Sequence, residues 1–539
     1  MAFDFANFAD PNLDDEYVEY LLNLHSDRVR HYSRLWDYFR NPLIPAAGLA
    51  GGVLNASSKP YFQAQEVGLP ARITGRGMGH NGEENVTDLR RKEVVIENDI
   101  AWRVQTAIDF LFSKAPVIRS RAGSEELASL IEQVISVFCD ANGGLAFLQE
   151  IALLGGVYGF VDVAIRTQGN SPAGLPRINN LSGNSEESSG NQPIALDKGA
   201  AYPLQDGSQD PHIARSKQHG QRAIEYARIL QLETVEAARV LPILEEDDYR
   251  HVRYWIQRYE KRLPRMSLSR PVRVRFPWSR QPNTKVEEVE IVEILSPSWW
   301  QRYQDRQLIA EGPNPLGRVP VVHIQNLPLP GSYEGLGEVE PLIPLQDELN
   351  TRLSDRANRV TYQSFKMYLG KGIDDFLDRP VGPGQMWATA NLNASIEEFG
   401  SDSGSPSEDA HIDQIRQAMD KVSGVSPLAA GLISGNVGNL TSATALRIVL
   451  SGLLARTAKK RLSYGAGLEQ IIGIALDWLD RIGVLRTEPA DRRVEIHWPD
   501  PLPADEGEAL RNAQMKASLG VPTDRILAEL GYSRASESE

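Results

Sequence analysis

Nine histidines are scattered along the chain, at positions 25, 31, 80, 212, 219, 251, 323, 411 and 497. No two of them sit at the spacing a helix uses to bring two imidazoles to one metal ion. Three have a carboxylate three or four residues upstream: His31 with Asp27, His251 with Asp247 and Asp248, and His411 with Glu408. Each pair lacks a third ligand, so each reads as a surface ion pair rather than a metal site. Gly75-Arg-Gly-Met-Gly-His-Asn-Gly82 has the glycines for a phosphate cradle but neither the Gly-Lys-Ser/Thr ending nor the dinucleotide spacing, so it reads as a flexible loop. Gly431-Leu-Ile-Ser434-Gly435 is misspaced for a nucleophile elbow, and the acidic run Glu245 to Asp248 reads as a solvated turn. The single cysteine, Cys139, excludes a disulfide framework within one chain and a cysteine-based zinc site. Its apolar helical surroundings suit a small buried hydrophobe. No catalytic constellation, metal site or cofactor site emerges.

The 539 residues set a prior of three to four ordinary domains. A hydrophobic content of 41% and a charged content of 24% are those of a globular chain. Against 57 basic residues stand 71 acidic ones, a net charge of −14 that argues against tight binding to nucleic acid by phosphate neutralisation. No Lys or Arg precedes Arg28, which excludes the basic start of a secretory signal. The longest unbroken nonpolar run, Ile151 to Val161, has eleven residues and is too short to span a bilayer. A soluble chain with no membrane partner is expected.

The spacing of apolar residues predicts the elements. Tyr17, Leu21, Leu22, His25 and Val29 share a helical face, and aromatics follow to Phe39 before Pro42 ends the run. An amphipathic helix is expected from Asn98 to Phe112, with further helical runs from Ser124 to Cys139 and from Gly144 to Leu154. Between Gln168 and Gly220 the composition turns to Gly, Ser, Asn, Gln and Pro, as in an insertion. Beyond it, Val252/Tyr254/Ile256, Val272/Val274/Phe276, Val286/Val289/Ile291 and Val319 to Ile324 alternate as strands. The insertion is therefore expected to separate a helical half from a β-rich half.

Leu342, Leu345, Leu349 and Leu353 fall on one narrow stripe of a helix from about Val339 to Ser364. Strand candidates follow at Lys366 to Gly370, Gln385 to Ala390 and Ala394 to Phe399. Ser405-Pro-Ser-Glu408 is a capping box that opens a second helix, whose face is Ile412, Ile415, Met419 and Val422 and whose stop is Gly424. Ser426 to Leu440 has no charged residue and is rich in Gly, Ser and Asn. Thr441 or Ser442 then caps a helix that runs to Gly483, with Gly465 and Gly467 as expected kink sites. A strand, Arg493 to Trp498, precedes two short helices stopped by Gly520 and Gly531.

This order of elements resembles that of the portal proteins of tailed bacteriophages. Asn98 to Pro116, ending Phe110-Leu-Phe-Ser-Lys-Ala-Pro116, looks like the family's early wing helix. Asn314-Pro-Leu-Gly-Arg-Val-Pro-Val-Val-His323 looks like the strand that leads to the stem, and Pro344-Leu-Gln-Asp-Glu-Leu-Asn350 like the stem's start. The resemblance covers roughly residues 15 to 533. It departs from the commoner form in the 168–220 insertion and in a short crown.

The resemblance implies an α+β, portal-like fold. Its parts would be an N-terminal helical lead-in (1–60), a wing (61–334) and a first stem helix (335–365). A clip (366–404), a second stem helix (405–425) and a tunnel loop (426–440) would follow. A long wing and crown helix (441–483) and a wing strand with a short crown (484–539) complete it. It also implies a homo-oligomeric ring of about twelve subunits at one capsid vertex of the virion, assembled in the host cytoplasm. Double-stranded DNA would pass through the ring, and the terminase large subunit and then a head–tail adaptor would dock on it. Major capsid and scaffolding proteins would surround it. About twelve copies at −14 each carry about −168, which suits a conduit on which DNA must not stick. No P-loop is present, so the motor would be the separate terminase.

Within that frame Gly431, Ser434, Gly435, Asn436, Gly438 and Asn439 would form a DNA-facing loop, and Met367, Met386 and Trp387 the docking surface of the clip. Leu342, Leu345, Leu349, Leu353, Ile412, Ile415 and Met419 would pack the stem, on stripes too narrow to bury themselves within one subunit. Arg447, Arg456, Lys459, Lys460 and Arg461 lie on the long helix with no acid between Thr441 and Leu468. They read first as a solvated face and, alternatively, with Arg416 and Lys421, as contacts to DNA or to a neighbouring subunit. Two other classes stay open: a hydrolase-type enzyme with an unpaired carboxylate site, and a head–tail adaptor ring.

Overall fold

A computed structural model describes residues 3–8, 13–45, 61–74, 77–78, 84–85, 93–167, 220–249, 251–264, 286–364, 367–371, 391–399, 406–430, 443–502, 506–523 and 526–527. Its principal helices are α1 (Asp15–Arg40), α2 (Asp99–Leu111), α3 (Glu125–Ala141), α4 (Gly144–Tyr158), α5 (Ile343–Ser364), α6 (Pro406–Ser423), α7 (Ala443–Val449), α8 (Ser451–Arg481) and α9 (Glu506–Ser518). The strands that matter here begin with β1 (Val117–Ser120), β2 (Phe160–Thr167), β3 (Leu230–Val235), β4 (Val240–Leu244), β5 (Val252–Pro264) and β6 (Val286–Leu295). They continue with β7 (Trp299–Gln304), β8 (Gln307–Pro313), β9 (Val321–Gln325), β10 (Met367–Lys371), β11 (Ser395–Phe399) and β12 (Val494–His497). Helix and antiparallel sheet are mixed, as expected of an α+β chain. Residues 1–33, 106–337 and 434–539 make one compact unit, and residues 34–105 and 338–433 another.

In the first unit a five-stranded sheet runs β8-β7-β6-β5-β4 and a three-stranded sheet β9-β2-β3, while β12 pairs with β1. Alternation sorts the five-stranded sheet into two apolar faces. Tyr254, Ile256, Val292 and Ile294 point to one core cluster, and Trp255 and Leu295 to another. The N-terminal segment covers the first face: Phe3, Phe8, Leu13, Val18 and Leu22 pack there against Tyr303 and its neighbours. Gln301 Nε2 donates to the Asp4 carbonyl at 2.7 Å, and Phe3 meets the Tyr303 ring edge-on at 4.8 Å.

β2 and β3 flank the 168–220 segment and pair directly, Thr167 opposite Leu230. The insertion therefore sits between two neighbouring strands of one sheet, and the expected division into a helical and a β-rich half is corrected. The error came from the continuous apolar run through Val161, which hides the change from α4 to β2. Gly159 makes that change at φ +95, where a Cβ would run into the Gly335 carbonyl oxygen.

The long helix of this unit differs from expectation at its bend. The helix breaks at Leu450, and α8 runs unbroken through Gly465 and Gly467. Gly467 instead admits β9: a Cβ there would lie 2.5 Å from Ile324 Cγ1. Gly424, Gly483 and Gly520, at φ +71, +73 and +82, end their helices as the sequence predicts. The buried face of α1 is shifted by one residue from the expected one, since Val18, Leu22, His25, Tyr32, Leu35 and Tyr38 are inside while Tyr17 is exposed.

In the second unit α5 and α6 lie antiparallel, with Arg359 on Glu408 and Arg356 on Asp409 at 3.0 Å. β10 and β11 pair antiparallel, Met367 opposite Phe399. Met386, Trp387, the Val272/Val274/Phe276 strand and the loop residues Gly431, Ser434, Gly435, Asn436, Gly438 and Asn439 lie outside the described residues. So do most of the 168–220 segment and most of the Gly75–Gly82 loop.

Candidate functional site

The carboxylate and histidine that the sequence leaves unpaired do meet. Asp162 on β2 and His323 on β9 are cross-strand partners, and Nδ1 lies 2.7 Å from Asp162 Oδ1. Asp162 is wholly buried and also accepts from Trp255 Nε1 and Tyr333 Oη, each at 2.7 Å. His323, with the carboxylate behind it, borders a cavity of about 560 Å³ that Tyr249, His251, Gln325, Ser463 and Gln470 also line. That is the setting of a general base, but the other ring nitrogen is taken. Nε2 sits 2.7 Å from the Tyr333 carbonyl oxygen, which can only accept. Nε2 therefore carries its hydrogen and has no lone pair with which to remove a proton. The cluster ties β9, β2 and β5 together, and burial beside Asp162 pushes the Tyr333 phenol well above its usual range.

The expected ion pairs are also redistributed. His251 does hold Asp248, at 2.8 Å, but His411 faces Glu348 at 3.3 Å because Glu408 is engaged by Arg359. Asp27 binds Arg30 at 2.5 Å. Among the described residues no group of three or more His, Cys, Asp or Glu could hold a metal ion. No single helix among them is long and apolar enough to cross a membrane.

The paired helices of the second unit form the most constrained site. Leu342, Leu349, Ile412, Ile415 and Met419 are buried within the one chain, and Leu345 and Leu353 are half-buried. The premise that these stripes cannot bury themselves is corrected: each buried side chain already contributes about 1.5–3 kcal/mol to its own subunit. Val422, expected on the same face, is exposed. What the apolar pattern missed is the stripe beside it. Gln346, Asn350, Ser354 and Asn358 recur every four residues on α5 and are all buried.

Their partner is the backbone of the extended segment 93–98. The Asn358 amide accepts from Glu93 N at 3.0 Å and donates to Glu93 O at 3.1 Å. Ser354 Oγ accepts from Val95 N at 3.0 Å, and its one hydrogen is shared between the Asn350 carbonyl at 2.7 Å and Val95 O at 3.2 Å. Asn350 Oδ1 accepts from Glu97 N at 3.1 Å, and Gln346 Nε2 donates to Glu97 O at 2.6 Å. Gln346 Oε1 then accepts from the amides of Asp99 and Ile100 at the start of α2, each at 3.2 Å; the Asp99 amide is shared with the Glu97 carbonyl at 2.9 Å. The repeat works because four helical residues advance about 6.0 Å while two extended residues advance about 6.6 Å. A run of uncharged polar residues at i+4 spacing beside a leucine stripe was the signal in the sequence.

Arg103 fixes the far end of α6. Only 3% exposed, it donates to Asp99 Oδ2 at 2.9 Å, Asp420 Oδ1 at 2.7 Å, Ser423 Oγ at 3.1 Å and the Val425 carbonyl at 2.7 Å. Burial raises Asp347 above its usual carboxylate range against the pull of its bond from Tyr38 Oη, at 2.8 Å. The outer arginines are tied as well: Arg352 to Glu348 at 2.7 Å, Arg356 to Asp409, Arg359 to Glu408 and Arg416 to Glu97 at 2.7 Å.

On the long helix, Arg447 binds Asp500, while Arg461 donates to the Pro499 carbonyl at 2.8 Å and lies over the Trp498 ring at 5.2 Å. These two residues clamp the chain after β12, so the expected solvated face is only partly one. Lys460 is 2% exposed and Arg456 is half-buried, whereas Lys459 and Lys421 are exposed.

No curated protein sequence matches this chain. Among solved structures, "Virion of native gene transfer agent (GTA) particle" aligns at TM-score 0.39 and 12% identity, covering 80% of this chain and 90% of that one. "Neck of empty GTA particle computed with C6 symmetry" aligns at TM-score 0.42 and 10% identity, covering 81% and 90%. A family model described as "Phage portal protein, SPP1 Gp6-like" matches residues 273–531, the span that holds α5, β10, β11, α6 and the long helix. Portal proteins of that family are structural, non-enzymatic components of the virion. Over residues 273–531, a little under half of its length, this chain is therefore similar to the phage portal family.

Proposed function

We propose that the protein forms a ring of about twelve subunits at one capsid vertex and conducts double-stranded DNA during packaging and ejection. The observation that carries the reading is the family match over residues 273–531. The charge arrangement inside that span supports it. Arg352, Arg356, Arg359 and Arg416 are each held by a carboxylate, so the paired helices offer passing phosphates little net positive charge. Fewer cationic contacts mean fewer counterions released, and less binding free energy to break at every step of the DNA.

On this reading α5 and α6 are the stem and residues 366–404 the clip. Met367, Met386 and Trp387 would face the terminase large subunit and later the head–tail adaptor. Residues 426–440 are the tunnel loop, in which Gly431, Ser434, Gly435, Asn436, Gly438 and Asn439 touch DNA through neutral groups. The wing would meet major capsid and scaffolding proteins. The test is assembly with and without the protein. Native mass spectrometry should find closed rings, and heads assembled with them should protect DNA from nuclease where heads assembled without them do not. Monomers at all concentrations, or equal protection in both preparations, would refute the reading.

A further inference from the structure

The first unit carries an unfilled apolar cavity and an uncovered apolar knob, and one helix contributes to both. The cavity, about 370 Å³, is walled by Ile135, Phe138, Leu145 and Leu148 and by the far end of α8, with Cys139 in its wall and Asp140 among its lining residues. It exceeds the roughly 150 Å³ that suffices for a benzene-sized guest. The knob is Leu462 of α8, 77% exposed. At 3.6 residues per turn, Ala455, Lys459, Leu462 and Ala466 fall within about 60° of one another. Leu468, Ile471 and Ile472, the residues α8 gives to the cavity wall, are centred roughly 150° away on the other side.

A knob on one side of a rigid helix and a receptacle on the other are what a head-to-tail contact requires, because one surface of each copy must fit a different surface of the next. The charges beside them are complementary. Lys459, one turn before Leu462, and Asp140 at the cavity are both exposed, and neither side chain has a partner among the described residues. The small residues Ala455 and Ala466 let another chain approach the helix closely.

We propose that Leu462 of one copy seats in this cavity of a second copy, with Lys459 meeting Asp140, and that the contact repeats around the ring. The proposal rests on the ring reading above and specifies its interface.

The chain's only native cysteine supplies the test. In the Leu462→Cys variant of the whole chain, oxidation with copper–phenanthroline should join the introduced thiol of one copy to Cys139 of the next. A denaturing gel should then show a ladder of covalent oligomers up to ring size, absent when Cys139→Ser is added. Leu462 is exposed, so folding should persist, which a thermal melt matching the wild type verifies. Lys459→Asp and Asp140→Lys should each raise the concentration for half-assembly by roughly tenfold, and the double variant should restore it. Intact rings without a disulfide would overturn this interface and leave the ring reading standing. A covalent dimer that persists with Cys139→Ser, where each chain has one thiol left, would replace it with a symmetric Leu462 contact. Wild-type protein that forms no rings at all would overturn the ring reading and the interface together.

Discussion

Replacing Asn350 by leucine tests the side-chain ladder of α5 most directly. The amide is fully buried and makes three hydrogen bonds: it accepts from Glu97 N and from Gln346 Nε2, and it donates to Gln65 Oε1 at 3.0 Å. Leucine fills much the same volume but leaves three buried polar groups short of a partner. Each such loss costs about 1–3 kcal/mol. Gln346 Nε2 keeps its bond to Glu97 O, which puts that group at the low end. Burying the leucine returns about 1.5–3 kcal/mol. The expected balance is a loss centred on roughly 3 kcal/mol, with about 5.5 kcal/mol as its upper end, concentrated where segment 93–98 meets α5. Hydrogen exchange should see it before global unfolding does, because the Glu97 amide is bonded only through this side chain. Its exchange should accelerate at least about thirtyfold, while amides in β5 and β6 keep their protection. If Glu97 exchanged at the wild-type rate and the denaturation midpoint held, the ladder would be incidental packing and the reasoning wrong.

Arg103→Met should destabilise the second unit by about 3–5 kcal/mol, the cost of breaking a buried ion pair from one side, read as a lower midpoint in urea. Gly467→Val should impair folding or lower the melting temperature, because even a Cβ would meet Ile324 at 2.5 Å, whereas Gly473→Ala, inside α8 with open space around it, should stabilise the helix by about 0.5–1 kcal/mol. His25 is buried, with Nε2 donating to the Ala238 carbonyl at 2.6 Å, and burial, aided by Arg28 and Arg258, lowers its affinity for a proton. Its neutral form is favoured in the folded chain, so stability is full above the ordinary histidine value of 6.5 and falls as pH drops from there towards the lowered folded value. Comparing wild type with His25→Gln across that window should show a flatter pH profile in the variant; identical slopes would count against burial as the cause.

Much of the architecture was legible in the amino-acid order because local rules write it there. Pro406 at the first turn of α6, glycines past the helix ends and period-two alternation in β5 and β6 act over a few residues, so a window of a few residues contains them. The order of helix, small β module, helix and long helix is by itself enough to resemble the portal family. Three features needed the folded chain. Asp162 and His323 are 161 residues apart and meet only because β2 and β9 pair, and the atom that disqualifies the pair as a base is a backbone carbonyl at Tyr333. The N-terminal phenylalanines look like an acidic lead-in's stray apolar residues until the sheet face they cover exists. The polar stripe on α5 looks solvent-facing in a helical projection, since hydrophobic patterning counts apolar side chains alone. It is buried because segment 93–98 brings unpaired backbone amides and carbonyls to it at a matching repeat, and a buried peptide group must be satisfied by whatever the tertiary fold sets beside it.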